Sequence, residues 1–392
     1  MAASPDVVII GGALMGSATA YFLAADADFD GRVTVVERDP TYGDTATARS
    51  WGGFRRQFSL AKNIEMAAFG REFYGNVTAL LAVDGDGPDL AMRRQGYLYL
   101  ASAGGVASLR ENTAVQWAAG ARTELLTPAG LVARFPWLNV DGLAAGAFGG
   151  TDEGWIDPYA LMQGFRRKAR ALGVEYRHDE VVGIERKGRR VTGVALAAGD
   201  RLACAVMVNA AGPNAGRVAE MAGIALPVRP RKRITYVFDC RAPLAHLPLT
   251  IDPSGLAFRP EGRQYLAIQS PPPDRDPDSD NLDLDLSAFD TEIWPALAHR
   301  VPAFSTLRLS GGWAGHYDYN TFDQNAVIGA HPDVEGILFC NGFSGHGIQQ
   351  SPAAGRAVAE WVVHGAFQSL DLSCFGIARL LDNCPMLERN II

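Results

Sequence analysis

The chain has 392 residues, 48% hydrophobic and 20% charged, with a net charge of -7 and a pI near 5.6. That length allows two cores, and the acidic balance excludes a nucleic-acid surface, which needs a basic field over the phosphates. Five cysteines (Cys204, Cys240, Cys340, Cys374, Cys384) without CxxC spacing argue against a disulfide framework or a zinc site and for a reducing compartment.

The first strand begins within six residues of Met1, which predicts no leader peptide, and no apolar run reaches the roughly 18 to 20 residues of a membrane span, so a cytoplasmic protein is expected. Residues 7–16, VVIIGGALMG, read as a buried strand breaking into a glycine-rich turn before an alanine-rich helix. This is the opening of a dinucleotide-binding βαβ unit: Gly11 makes the turn, Gly16 lets the helix pack close, and the helix N-terminus receives a pyrophosphate. Ala13 stands where the usual fingerprint has its middle glycine, so a small backbone shift is expected there. The second strand, 32–37, ends in Glu37, placed to accept from a ribose 2′-hydroxyl and to repel a 2′-phosphate, which disfavours NADP.

Residues 43–56 read as a loop over the cofactor. Helices are predicted at 61–82, 104–120, 127–134 and 157–172, the last with Pro158 in its first turn. Strands are predicted at 96–100, 174–176, 180–186, 191–197 and 206–209, and the small residues at 210–216 permit a second close backbone approach. From about 226 to 320 the pattern alternates, with strands at 234–238, 256–259 and 265–269 and a polar Pro/Asp loop at 270–285, so an antiparallel layer forming a separate lobe is expected. The basic run 229–233 reads as local. A strand and glycine-dense loop follow at 336–347, and then a helix at 351–361 with Ser351 as N-cap and Pro352 in the first position. Its dipole favours negative charge in the loop. No internal repeat is evident.

The GGALMG turn, Glu37, the loop 48–58 (ARSWGGFRRQF), the NAAG segment at 209–212 and the tail 341–347 (NGFSGHG) together resemble the D-amino-acid oxidase/sarcosine oxidase family of FAD enzymes across almost the whole chain. The run 313–325 and the terminal 390–392 most resemble its branch of FAD-dependent oxidoreductase domain-containing proteins, whose mitochondrial member assists assembly of a respiratory complex.

The resemblance implies an α/β plus antiparallel β fold of the glutathione-reductase-2/D-amino-acid oxidase type. A discontinuous Rossmann-like FAD-binding domain (1–83, 150–217, 322–392) would carry an α+β substrate-binding lobe (84–149, 218–321). It implies that Gly11, Gly12, Ala13 and Gly16 hold the pyrophosphate, Glu37 the adenosine ribose and Val182 the adenine edge through its backbone. Ser50 and Trp51 would lie near the flavin, and Gly345, His346, Gly347 and Ile348 along its pyrimidine side. Met15, Arg38, Gly52, Ala210, Ala211, Gly212, Gly342 and Gln349 complete the implied FAD contacts.

The implied reaction oxidises an amine carbon beside a carboxylate, by hydride transfer to flavin N5 and hydrolysis of the imine; no strong base is obligatory. An arginine fork suits the carboxylate, and the candidates are Arg55, Arg56 and Arg259. Several arginines on one pocket would favour a second carboxylate, as in an iminodiacetate-like substrate. Tyr265 and Tyr317 are candidates for the pocket wall, or for packing. His346, between glycines at a helix start, is expected to donate to the flavin, and His316 to be structural. His178, His246, His299, His331 and His364 lack ligand spacing, and no metal is expected.

Three departures from monomeric sarcosine oxidases stand out. Gln349 occupies the place of their carboxylate-binding lysine, no cysteine falls near 314–316, and an apolar residue near Leu266 replaces their oxygen-activating lysine. Dissociable FAD and an acceptor that is oxygen or another oxidant are therefore expected, in a monomer or small homo-oligomer. An oxidase or dehydrogenase of an N-substituted glycine is the first reading, with a D-amino-acid dehydrogenase as a variant. A flavin-bearing assembly protein is the alternative: an open pocket with converging arginines would favour the enzyme, and a blocked pocket beside an apolar patch the scaffold.

Overall fold

The apolar run near the start of the chain forms β1 (Val7–Ile10), buried along its whole length, as a strand in the middle of a parallel sheet must be. The computed structural model describes residues 6–242 and 244–390. Strand β1 pairs in parallel with β2 (Val33–Glu37) on one side and β12 (Val206–Asn209) on the other. The full six-stranded order is β18 (Val327–Ala330), β19 (Ile337–Asn341), β12, β1, β2 and β8 (Glu175–His178), so the beginning, middle and end of the chain build one sheet.

Helices α1 (Leu14–Ala24) and α9 (Gly347–His364) pack together at a crossing of small residues, where a Cβ on Gly355 would come within 2.8 Å of Ala18. α6 (Pro158–Ala171) packs beside them, started by the Asp157 carboxylate, which accepts from the Tyr159 and Ala160 N–H groups.

The second sheet has eight strands: β17 (Arg308–Asn320), β13 (Val228–Asp239), β16 (Gln264–Gln269), β15 (Leu256–Glu261), β14 (Leu249–Ile251), β4 (Tyr97–Ala101), β6 (Ala145–Phe148) and β5 (Glu124–Leu126). Strand alternation gives it two faces. Tyr236, Phe238, Phe258 and Tyr265 pack with Phe289 and Phe304 on the outer one. Tyr97, Leu249, Ala257, Ile268 and Thr235 face the inner one and roof a cavity. Two smaller sheets, β9 (Val181–Lys187) with β10 (Arg190–Leu196) and β11 (Arg201–Ala203), and β3 (Gly53–Phe54) with β7 (Gly154–Trp155), complete the strands.

The predicted helix at 61–82 is two, α2 (Ala61–Gly75) and α3 (Val77–Leu80), separated at the non-helical Asn76. The others are α4 (Val106–Ala118), α5 (Pro128–Arg134), α7 (Ala215–Met221), α8 (Trp294–Arg300) and α10 (Ala378–Leu381). Strand β13 is longer than 234–238 because β17 pairs with it from Val228 to Asp239.

The largest correction concerns α9. It starts at Gly347, not at Ser351, and Pro352 lies inside it. The Ile348 carbonyl that a residue-352 N–H would have met accepts instead from the Tyr74 hydroxyl and, at 2.9 Å, from Ser351 Oγ. Among the described residues no helix is long and apolar enough to cross a membrane.

Candidate active site

A cavity of about 710 Å³ runs from the turn after β1 to the underside of the eight-stranded sheet. At its first end Gly11 adopts φ +96°, and a Cβ there would lie 2.5 Å from the Ala210 carbonyl oxygen. A Cβ on Gly16 would lie 1.8 Å from the Gly11 carbonyl oxygen, so this glycine sets how closely α1 meets the strand. Ala13 needs no backbone shift, because its φ of -68° is open to any L-residue; it caps α1 without a side-chain bond, leaving the first-turn N–H groups to the cavity. Glu37 lines the same end, its carboxylate steadied by the N–H groups of Gly12 (2.8 Å) and Asp39 (2.9 Å).

Most residues expected at the cofactor do line this cavity: Gly11, Ala13, Met15, Glu37, Arg38, Ser50, Trp51, Ala210, Ala211, Gly212, Gly345, His346, Gly347 and Ile348. Six do not. Val182, expected to meet the adenine through its backbone, turns its side chain outward at 52% exposure, and its neighbour Val181 lines the cavity, since neighbours on β9 face opposite ways. Gly12 and Gly16 sit behind the turn, and Gly342 (φ +75°) turns the chain behind the glycine loop. Gly52 is packed against the Ile156 carbonyl, a Cβ there coming within 1.9 Å, and its neighbour Gly53 reaches the cavity. Gln349 lies behind the wall, its Oε1 accepting from the Arg55 N–H at 3.0 Å.

At the other end, α9 also opens on the cavity without a side-chain cap. Its N-cap His346 is buried, ring edge to Phe58 at 5.1 Å, with Nε2 lacking any partner among the described residues. Burial and the nearby Arg55 charge hold its pKa well below the usual histidine range, so the ring is neutral. Arg55 is 3% exposed and stacked on Phe58 at 4.5 Å, with Tyr97 and Tyr99 at 5.8 and 5.7 Å. Nη2 donates to the Asn390 carbonyl (2.6 Å) and Nε to that of Gln57 (3.4 Å). Among the described residues Nη1 makes no hydrogen bond and the guanidinium has no carboxylate within ion-pair distance. Ile391 and Ile392 lie outside the described residues.

The other candidates are placed elsewhere. Arg56 turns away and donates to the Gly120 and Ala119 carbonyls at 2.8 and 2.7 Å, closing the end of α4. Arg259 is buried between Trp51 and Trp155, with its fork taken by Glu261 and the Trp51 carbonyl. Tyr265 is in the outer-face core, its oxygen accepting from the Leu244 N–H at 3.3 Å. Tyr317 and His316 do line the cavity, His316 against the Asn281 carbonyl.

Sequence reading missed Arg49, Tyr97, Arg233, Thr235 and Asp318 at the cavity wall. The inward phase of β13 was the signal for Arg233 and Thr235, since Thr235 accepts from the Trp51 indole at 3.0 Å. Burial raises the Asp318 carboxyl to about 6, although the Phe343 N–H donates to it. Among the described residues one group with metal-ligand chemistry converges, Asp26, Asp28 and His364, away from the cavity on partly exposed surface.

Two uncapped helix N-termini on one elongated cavity, a ribose carboxylate between β2 and the turn, and an orphaned polar atom at His346 fit FAD: pyrophosphate at α1, ring system at α9. Together the fold and site define a flavin-dependent oxidoreductase. Residues 6–361 match the family described as FAD dependent oxidoreductase (DAO), and the chain belongs to that family, with FAD as its cofactor. It is 43% identical over 422 residues to FAD-dependent oxidoreductase domain-containing protein 1 of Xenopus laevis, covering 99% of this chain and 85% of that one. It is 27% identical to sarcosine oxidase subunit beta of Rhizobium meliloti, covering 93% and 85%. The crystal structure of L-proline dehydrogenase from P. horikoshii shares its fold, with TM-score 0.84 at 23% identity over 98% of this chain and all of that one.

Proposed function

We propose that this protein oxidises the C–N bond of a small amino or imino acid of the N-substituted glycine type and binds its carboxylate at Arg55. The observation that carries this reading is a buried guanidinium, facing the cavity, with donors to spare and no carboxylate partner among the described residues. Despite its burial, the guanidinium is favoured in its charged form by Tyr99, Tyr97 and the more distant Glu388 and Glu153 carboxylates, and a substrate carboxylate would add the direct bidentate partner that it lacks among the described residues.

Bound FAD supplies the two-electron acceptor for a hydride leaving the carbon beside nitrogen. The apolar roof of Leu249, Ala257 and Ile268 excludes water from that carbon. The α9 N-terminus favours the negative charge that accumulates at its end of the cavity on reduction. Neither a lysine nor a cysteine lines the cavity among the described residues, which supports dissociable FAD and an acceptor other than oxygen.

The test is anaerobic bleaching of FAD-loaded protein by sarcosine, iminodiacetate, N-methyl amino acids, proline and D-amino acids, followed by admission of air. One compound is expected to bleach the flavin, with slow recovery in air. Arg55→Met is expected to raise the half-saturating concentration at least 100-fold, the ~3 kcal/mol of a lost charge-assisted pair. If no compound bleaches fully loaded protein, the reading is wrong.

A further inference from the structure

The basic run at 229–233, set aside from sequence as local, places one arginine in the cavity. Arg233 is two residues from Thr235 on β13, so it shares the roof face, and it is 5% exposed. Nη1 and Nη2 grip the Asp276 carboxylate side by side at 2.7 and 2.9 Å, and Nη1 also reaches the Lys232 carbonyl at 3.0 Å. Nε is buried with no partner among the described residues. The guanidinium stands 5.2 Å from the Tyr317 ring, and the charges of Arg233 and Arg55 both act on that tyrosine.

Asp276 belongs to a strap, 270–285, that lies against the N-terminal half of β13. Among the described residues it is held by a backbone bond, Ser279 N–H to the Pro230 carbonyl (2.9 Å), by Lys232 Nζ on Asn281 Oδ1 (2.9 Å) and the Asp283 carbonyl (3.3 Å), by His316 on the Asn281 carbonyl (3.2 Å), and by charge pairs: Asp278 with Arg231 at 3.3 Å, Asp280 with Arg217 at 2.5 Å. The flanking pairs are largely exposed and weak, whereas Arg233–Asp276 itself is buried, so an incoming carboxylate must replace Asp276 with the same bidentate pairing. The fork-to-fork geometry that Asp276 uses is the one a free carboxylate uses.

We propose that Arg233 is a second carboxylate site, held by Asp276 until substrate arrives, and that the substrate class is an imino acid bearing two carboxylates. Arg55 takes the carboxylate beside the reacting carbon, and Arg233 takes the distal one as the strap yields. This rests on the amine-oxidation reading above, but its test does not depend on turnover.

The probes are oxydiacetate and methoxyacetate, which share one carboxylate and an ether in place of the amine and differ in the second carboxylate. Both are titrated into FAD-loaded protein and read as perturbation of the oxidised flavin spectrum. Oxydiacetate is expected to bind at least tenfold more tightly than methoxyacetate. Asp276→Asn, which removes the internal competitor, should tighten oxydiacetate several-fold and leave methoxyacetate unmoved; Arg233→Gln should erase the preference. A purely structural ion pair predicts the opposite for Asp276→Asn, a loss for both ligands.

Equal binding of the two probes in the unmodified protein, or a preference that survives both variants, overturns the proposal. Should Arg233→Gln fail to fold, Asp276→Asn decides alone by its sign. A dicarboxylate preference with no amine able to bleach the flavin would retain the second site and sink the oxidation reading.

Discussion

Glu153 carries a carboxyl into the interior beside the cavity, where Oε1 accepts from the Arg56 N–H (2.6 Å) and Oε2 from Gln57 Nε2 (2.7 Å). Burial raises its pKa from 4.5 to about 7 in spite of those bonds and the nearby arginines. The native state therefore keeps a proton that the unfolded chain loses between these values. The resulting stability is complete below pH 4.5 and lost as pH rises to about 7, with a slope of about 1.4 kcal/mol per pH unit at most. Glu153→Gln should flatten this part of the Tm-against-pH curve; an unchanged slope would place the titration elsewhere. Gly16→Ala should cost FAD binding at least tenfold, measured by flavin retention on dilution, because its methyl would sit 1.8 Å from the Gly11 carbonyl oxygen. At this scale Gly11, Gly16 and Glu37 are legible in sequence because their roles in the turn follow from local backbone geometry. Sequence spacing served the arginines poorly: Arg55, Arg56 and Arg259 look alike in one dimension, and a carbonyl at the end of α4 or a tryptophan pair decides which way each points.

Helix α9 shows how an element's ends escape local rules. Ser351 and Pro352 form a sound start signal, yet the helix begins four residues earlier because Tyr74 of α2 supplies, through its hydroxyl, the bond to the Ile348 carbonyl that proline cannot. Tyr74→Phe removes one of the two donors to that carbonyl, leaving Ser351 Oγ, and should lower stability by about 1 kcal/mol. It should also shift the flavin absorbance, because Ile348 lines the cavity; an unchanged spectrum with lowered Tm would mean that the helix start is held by other contacts. Strand β13 makes the same point. Its hydrophobic half, 234–238, was legible, and the basic half became strand because β17 pairs with it throughout.

At the scale of the whole molecule, the described contacts of the strap with β13 and its neighbours are mainly ion pairs and polar bonds. Exposed pairs weaken as the screening length drops from about 30 Å at 0.01 M salt to about 3 Å at 1 M. Tryptic cleavage after Arg275 should therefore accelerate with salt relative to cleavage after exposed Lys187, followed by mass spectrometry, and oxydiacetate should accelerate it further. A salt-independent ratio would mean that the strap is anchored by packing.

What the sequence determined by itself was the nucleotide-binding opening, the family and the class of reaction, because glycine turns, helix N-termini and strand-end carboxylates are set by residues near one another in the chain. What only the tertiary structure decided was which side chains meet under the roof. Arg55, Arg233 and His346 come from three distant segments, and their convergence depends on the register and facing of strands paired across more than a hundred residues, which no local pattern encodes.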